Sequence, residues 1–364
     1  LKGKPGFQYC NIQNFRNTNF AAGVNFTNIV SSLKLNVLIQ FSPGQKKNFI
    51  LFFKIVIVFI SLWVIYRQVI VKDNFSQSLN EYRVLLKEKN TWLILSVLVV
   101  MMFFNWFVES LKWQMLMSKI QKVNLGLSLA AIFSGITVSF FTPNRIGEYA
   151  GRVLHLDAPG RIKAVLATLV GSMNQLLITV VAGVFALLIT MKGALSDMRF
   201  VYSIICGVSV IAMTGMVVFY FNVSQFYSFL HRIKFLKKFD KYTKVFSFYH
   251  TKELTGITIL SAIRYLIFTS QYVILLYLFD VGIDIFTAYR LIFLTFLVMA
   301  IVPTFALAEL TIRGSVALYF MASLSSNSTG IVAASFSLWF INLVLPAIIG
   351  AFTLFFVRLG KANR

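Results

Sequence analysis

Residues 125–152 read LGLSLAAIFSGITVSFFTPNRIGEYAGR, and the rest of the chain is best read outward from them. The first 17 residues, Leu125–Phe141, carry no charge. That length is the low end for a helix crossing about 30 Å of hydrocarbon. Thr142-Pro143-Asn144 follow at once, and Arg145, Glu148 and Arg152 come directly after. A short apolar run that meets a proline and then a cluster of charges predicts a half-helix that dips into a bilayer and returns. Pro143 and Gly147 are the expected helix-break and turn residues. On the helix beyond them, the i,i+4 spacing puts Glu148 beside Arg152.

Residues 286–313, FTAYRLIFLTFLVMAIVPTFALAELTIR, repeat this skeleton. A 17-residue apolar run, Phe286–Val302, is followed by Pro303 as the break, then Glu309, then Arg313 four residues further on. The flanking sequence supplies full-length spans at Phe49–Ile70, Thr91–Val108, Ile162–Thr190, Phe200–Phe221, Thr255–Phe279 and Gly330–Val357. Each is long enough to cross once. Three of them separate the two short segments, so the second copy is expected to enter from the opposite face. The predicted fold is therefore an all-α, polytopic transmembrane helix bundle with two inverted, re-entrant, Pro-interrupted segments. Residues 1–48, rich in Asn with scattered Lys, are expected to be a polar tail, either disordered or an over-extended reading frame, and 49–364 the integral membrane domain.

Composition agrees with a lipid environment. Of 364 residues 58% are hydrophobic and 13% charged, and the mean hydropathy is +0.78. The formal charge of +22 would point to nucleic acid in a soluble chain. Here the basic residues gather between apolar runs, where anionic lipid headgroups are the nearest partners, so no nucleic-acid partner is expected. The loop 222–254 holds seven basic and two acidic residues, a net +5 that should be cytoplasmic. A re-entrant 125–141 segment keeps it there; a full crossing would not.

Two cysteines, Cys10 and Cys206, and three histidines without HExxH spacing give no metal site, and the absence of GxxxxGK[ST] leaves no nucleotide loop, so no cofactor is expected. Ionisable groups deep in lipid are expensive, a few kcal/mol each at a helix centre on insertion scales, and persist mainly where they pair or line a path. Arg145, Arg152 and Arg313 are candidates to grip an anionic headgroup, with Glu148 and Glu309 holding the arginines or carrying a coupling proton. Arg264, about nine residues into its span and too deep to snorkel easily, should face the interior as structural partner or substrate contact. Proline at the start of each following helix would leave amides free for a phosphate or carboxylate. The bland alternative is an interfacial helix start with an ordinary Glu–Arg pair. Asn174, Gln175, Gln271 and Asn342 read as interhelical glue.

The run Pro143-Asn144-Arg145-Ile146-Gly147-Glu148, with Arg152 after it, resembles the PGRLGE-like signature of the lysylphosphatidylglycerol synthase membrane-region family, flippase-like integral membrane proteins. Residues 303–309 look like that family's second Pro-to-Glu element, with Phe305-Ala306-Leu307-Ala308 where members usually carry glycines. The resemblance implies a multi-pass protein of the bacterial inner membrane that moves an anionic or amphipathic lipid between leaflets. It implies no aminoacyl transfer, since only seven residues follow the last predicted span, where aminoacylating relatives carry a soluble domain. A membrane-embedded transferase using Glu148 or Glu309 as base, or a non-transporting scaffold, stand as alternatives.

Overall fold

The computed structural model describes Trp63, Leu85 and residues 87–355, apart from 158–159, 226, 228–239 and 303–305. The expected tail, nearly all of the span at 49–70, and Pro303 lie outside the described residues. Those described are helical and contain no strand. In chain order the α-helices of seven residues or more are α1 (Lys89–Met117), α2 (Leu125–Phe140), α3 (Gly147–Val153), α4 (Arg161–Ala194), α5 (Arg199–Phe221), α6 (Thr251–Leu278), α7 (Ile285–Ile301), α8 (Ala306–Met321), α9 (Ser328–Trp339) and α10 (Leu345–Phe355), with a short helical turn, Asp240–Thr243 and Lys244–Phe248, before α6. A wide π turn, Phe340–Val344, joins α9 to α10 into one rod. Among the described residues five helices are long and apolar enough to cross a membrane: α1, α4, α5, α6 and the α9–α10 rod. Two shorter apolar helices, α2 and α7, occupy the positions expected for half-helices.

The helix starts follow from local chemistry. Asn124, Asp284 and Asn327 accept hydrogen bonds from the amides of Leu127, Thr287 and Gly330 at 2.8, 3.0 and 2.7 Å, satisfying donors that helices α2, α7 and α9 leave open. His250 and Glu253 form a capping box at the start of α6, and Glu253 also pairs with Lys119 at 2.8 Å, tying α6 to the end of α1. The π turn precedes Pro346, which has no amide to offer the carbonyl of Asn342, so the helix widens there rather than breaking.

Packing sorts the helix faces. On α1 the residues Leu98, Met102, Asn105, Glu109, Lys112 and Leu116 are buried, at the alternating four-and-three spacing of one face, while Leu93, Val97, Val100 and Phe104 are exposed. Central α6 packs on α1, α4, α7 and α9. Helix α2 is held between α1, α3 and α10. Helix α5 leans on α4 and is the least buried of the five long helices, so its apolar surface is left for lipid.

The sequence reading ended the first described span at Val108, and the structure corrects this. Helix α1 runs on to Met117, carrying Glu109 and Lys112 into the interior, because Arg152 and Arg264 on neighbouring helices pair with Glu109, which in turn pairs with Lys112 on its own helix. A second correction concerns Pro143, which opens a short 3₁₀ turn, Pro143–Arg145, and not the following helix. Helix α3 begins at Gly147, whose amide is already bonded to the Thr142 hydroxyl at 2.8 Å. The Tyr149 amide is likewise taken, by the Ile146 carbonyl at 3.2 Å, so two of the amides expected to be free for an anion at the start of α3 are already bonded.

Candidate functional site

Two glycines set the position of the first charged motif. A methyl group on Gly151 would stand 2.7 Å from Gly135 Cα and from the Ser134 carbonyl, so α3 lies closer to α2 than any larger residue permits. That approach carries Arg152 inward, beyond the reach of solvent, to Glu109 on α1. Upstream, Asn144 and Arg145 adopt left-handed backbone angles, φ 53° and 57°. Asn tolerates this conformation; for arginine it is uncommon and reverses the chain between α2 and α3.

Five cations and three carboxylates then form two clusters. Glu109 is the centre of one. Its Oε1 lies 3.0 Å from Arg152 Nη2, and its Oε2 lies 2.6 Å from Lys112 Nζ and 3.1 Å from Arg264 Nη1. Arg152 also pairs with Glu148, the i,i+4 contact expected from sequence. In the other cluster Glu309 pairs with Arg313, again i,i+4, and its Oε2 stands 3.5 Å from Arg145 Nε. The Arg145–Glu309 contact joins the two motifs across 164 positions of chain. Glu109, Lys112, Arg152, Glu309 and Arg313 are all buried.

Between the clusters is a cavity of about 280 Å³. Its charged lining is Arg145, Arg264, Arg313 and Glu309; its aromatic lining is Trp106, Tyr265, Phe268, Phe296 and Trp339. Arg264 lies over the Trp106 ring at 4.7 Å, and Arg313 lies 5.7 Å from both Phe268 and Phe296, so the aromatic faces hold the guanidiniums in place. Among the described residues the Nε atoms of Arg145, Arg264 and Arg313 have no hydrogen-bond partner, although all three are buried.

Arg145, Arg264, Glu309 and Arg313 thus meet at one cavity, while Glu148 and Arg152 stand behind it, coupled through Glu109 and Arg264. Glu109 and Lys112 were missed in sequence. The signal was their register, since they continue the face begun by Leu98, Met102 and Asn105. Of the residues read as glue, Asn174 donates to Thr258 at 2.8 Å and Gln271 to the Leu98 carbonyl at 2.9 Å, each joining two helices. Asn342 faces Asn105 at 3.5 Å, and Asn342 and Gln175 also line the cavity. His155, outside any metal pattern, lies 2.8 Å from Ser134 Oγ, which is shared with Thr353 at 2.9 Å. This ties the turn after α3 to α2 and α10. Among the described residues no group of histidines, cysteines and carboxylates is arranged to hold a metal ion.

Fold and site together define a protein that is helical over its described residues, with multiple candidate membrane spans and a partly open cationic cavity. Comparison with protein-family models, with curated proteins and with solved structures finds no match.

Proposed function

We propose that this protein is a flippase-like integral membrane protein of the bacterial inner membrane, which receives the anionic headgroup of an amphipathic lipid in the arginine-lined cavity and passes it between leaflets. The observation that carries the reading is the cavity where both Pro/Glu/Arg elements meet, through Arg145 and Glu309, with three arginines against one carboxylate in its wall. The barrier to lipid flipping is the cost of taking a charged headgroup through hydrocarbon. A preorganised set of guanidiniums lowers that cost while the acyl chains stay in lipid. In this reading α2 and α7 are the inverted, re-entrant half-helices, and each brings one motif to the middle of the bilayer. The resemblance of 143–152 to the lysylphosphatidylglycerol synthase membrane-region signature supports the same activity.

The test is transport by the purified chain in vesicles containing a fluorescent anionic phospholipid, with the outer leaflet bleached by a membrane-impermeant reductant. The expected result is loss of the protected inner-leaflet signal well above that of protein-free vesicles. Arg145→Gln, which removes one charged donor at a half-exposed position, should slow this loss about tenfold or more. It should cost less than about 1 kcal/mol in stability. A wild-type rate equal to that of empty vesicles would sink the proposal.

A further inference from the structure

We infer that the headgroup recognised is a doubly charged phosphate monoester, and not the singly charged phosphodiester of ordinary phospholipids. This rests on the reading of the cavity as an anionic-headgroup site.

Charge balance is the first argument. Lys112, Arg152 and Arg264 face Glu109 and Glu148 in one set of contacts, and Arg145 and Arg313 face Glu309 in a second, so each set keeps a formal excess of one positive charge, two in all. An uncompensated charge out of water costs several kcal/mol, so a ligand with two negative charges is the neutral complement of this site. A phosphodiester supplies one, and a lipid diphosphate supplies more than two.

Donor number points the same way. Each carboxylate is already engaged: Glu109 by three cations, Glu148 by Arg152, and Glu309 by Arg313 and Arg145. Of the five arginines whose buried Nε–H lacks a hydrogen-bond partner among the described residues, Arg145, Arg264 and Arg313 line the cavity, and Arg152 and Arg290 do not. At 3.5 Å, with no hydrogen-bond geometry, the Arg145–Glu309 contact leaves that Nε–H open. These three open donors on the cavity's lining residues equal in number the three terminal oxygens of a phosphate monoester, whereas a diester presents two.

The cavity also disfavours headgroups that carry a cation. An ammonium or quaternary ammonium is normally received by free aromatic faces or a free carboxylate. Here Trp106, Phe268 and Phe296 are covered by Arg264 and Arg313, and Glu309 is paired. An amine-bearing headgroup, including an aminoacylated one, would meet three arginines and a single carboxylate that is already paired. Phosphate itself, free or at the end of an apolar chain, is the shared chemistry.

The experiment is a binding titration of the full-length chain, purified in a neutral detergent, against three probes: dodecyl phosphate, its methyl diester, and inorganic phosphate. At pH 7.5 dodecyl phosphate should bind about tenfold or more tighter than the diester, the gain from a second charge and a third acceptor oxygen. Because a phosphate monoester takes up its second proton near pH 6, the difference should collapse by pH 5. Arg145→Gln, which lowers the excess to one charge, should bring the two affinities within about threefold of each other. Equal binding of monoester and diester by the wild type overturns the dianion inference while leaving an anion-headgroup site standing. No binding of either overturns both readings. Inorganic phosphate binding as tightly as dodecyl phosphate upholds dianion recognition and removes the lipid as its source.

Discussion

Glu109 is the residue on which the interior of this protein turns. One carboxylate faces Lys112, Arg152 and Arg264, on its own helix, on α3 and on α6. Removing one partner of a buried pair leaves the others uncompensated, which is more damaging than never having had the pair. Glu109→Gln is therefore expected to lower stability by about 3–5 kcal/mol, read as thermal unfolding in detergent. Glu148→Gln, at a side chain 26% exposed, should cost no more than about 1 kcal/mol, because water and Glu109 still serve Arg152. Adding Lys112→Met to the Glu109 variant should restore part of the loss, since one stranded cation is removed with its partner. If Glu109→Gln unfolds at the wild-type temperature, the carboxylate is not the hub described here. None of this was readable as a site from sequence, where Glu109 and Lys112 look like the polar end of a span; only the continuing four-and-three register marked them as inward-facing.

At the scale of elements, the α2–α3 hairpin shows how backbone proximity places a charge. Gly151 meets the α2 backbone itself, and no side-chain rotation relieves an added methyl. Gly151→Ala should destabilise by about 1–3 kcal/mol and move Arg152 away from Glu109. Gly207→Ala on α5, where nothing lies within 4 Å, should leave stability unchanged or raise it by up to about 1 kcal/mol. The contrast is measurable as a shift in unfolding temperature, and equal losses in both variants would show that helix propensity outweighs the close approach. The elements themselves were largely legible, since span positions follow from hydropathy. Their ends were less so: α1 overran its predicted stop because Glu109 finds partners on α3 and α6, and Pro143 shaped a turn rather than a helix start because Asn144 and Arg145 take left-handed backbone angles after it. The π turn before Pro346 likewise needed the structure. A proline in an apolar run announces a defect in hydrogen bonding, but whether the helix kinks, breaks or widens depends on what packs against it.

For the whole molecule the deciding prediction is topological. Single cysteines at Asn144 and Thr304, in a chain whose native cysteines are replaced, should label with a membrane-impermeant thiol reagent from opposite sides in intact cells, Thr304 from outside and Asn144 not. Labelling of both from one side, or of neither, would contradict the inverted arrangement that the proposed function requires. By itself the sequence determined the lipid-like solvent, the helical class, the places of the described spans and the two i,i+4 pairs, Glu148–Arg152 and Glu309–Arg313. All of these depend on composition or on spacing within a turn or two of helix. Only the tertiary structure decided that Arg145 meets Glu309, that Glu109 gathers cations from three helices, and that Arg264 and Arg313 share one cavity wall. Those contacts join residues far apart in the chain, and helices apolar on nearly every face carry little local information about which faces will meet.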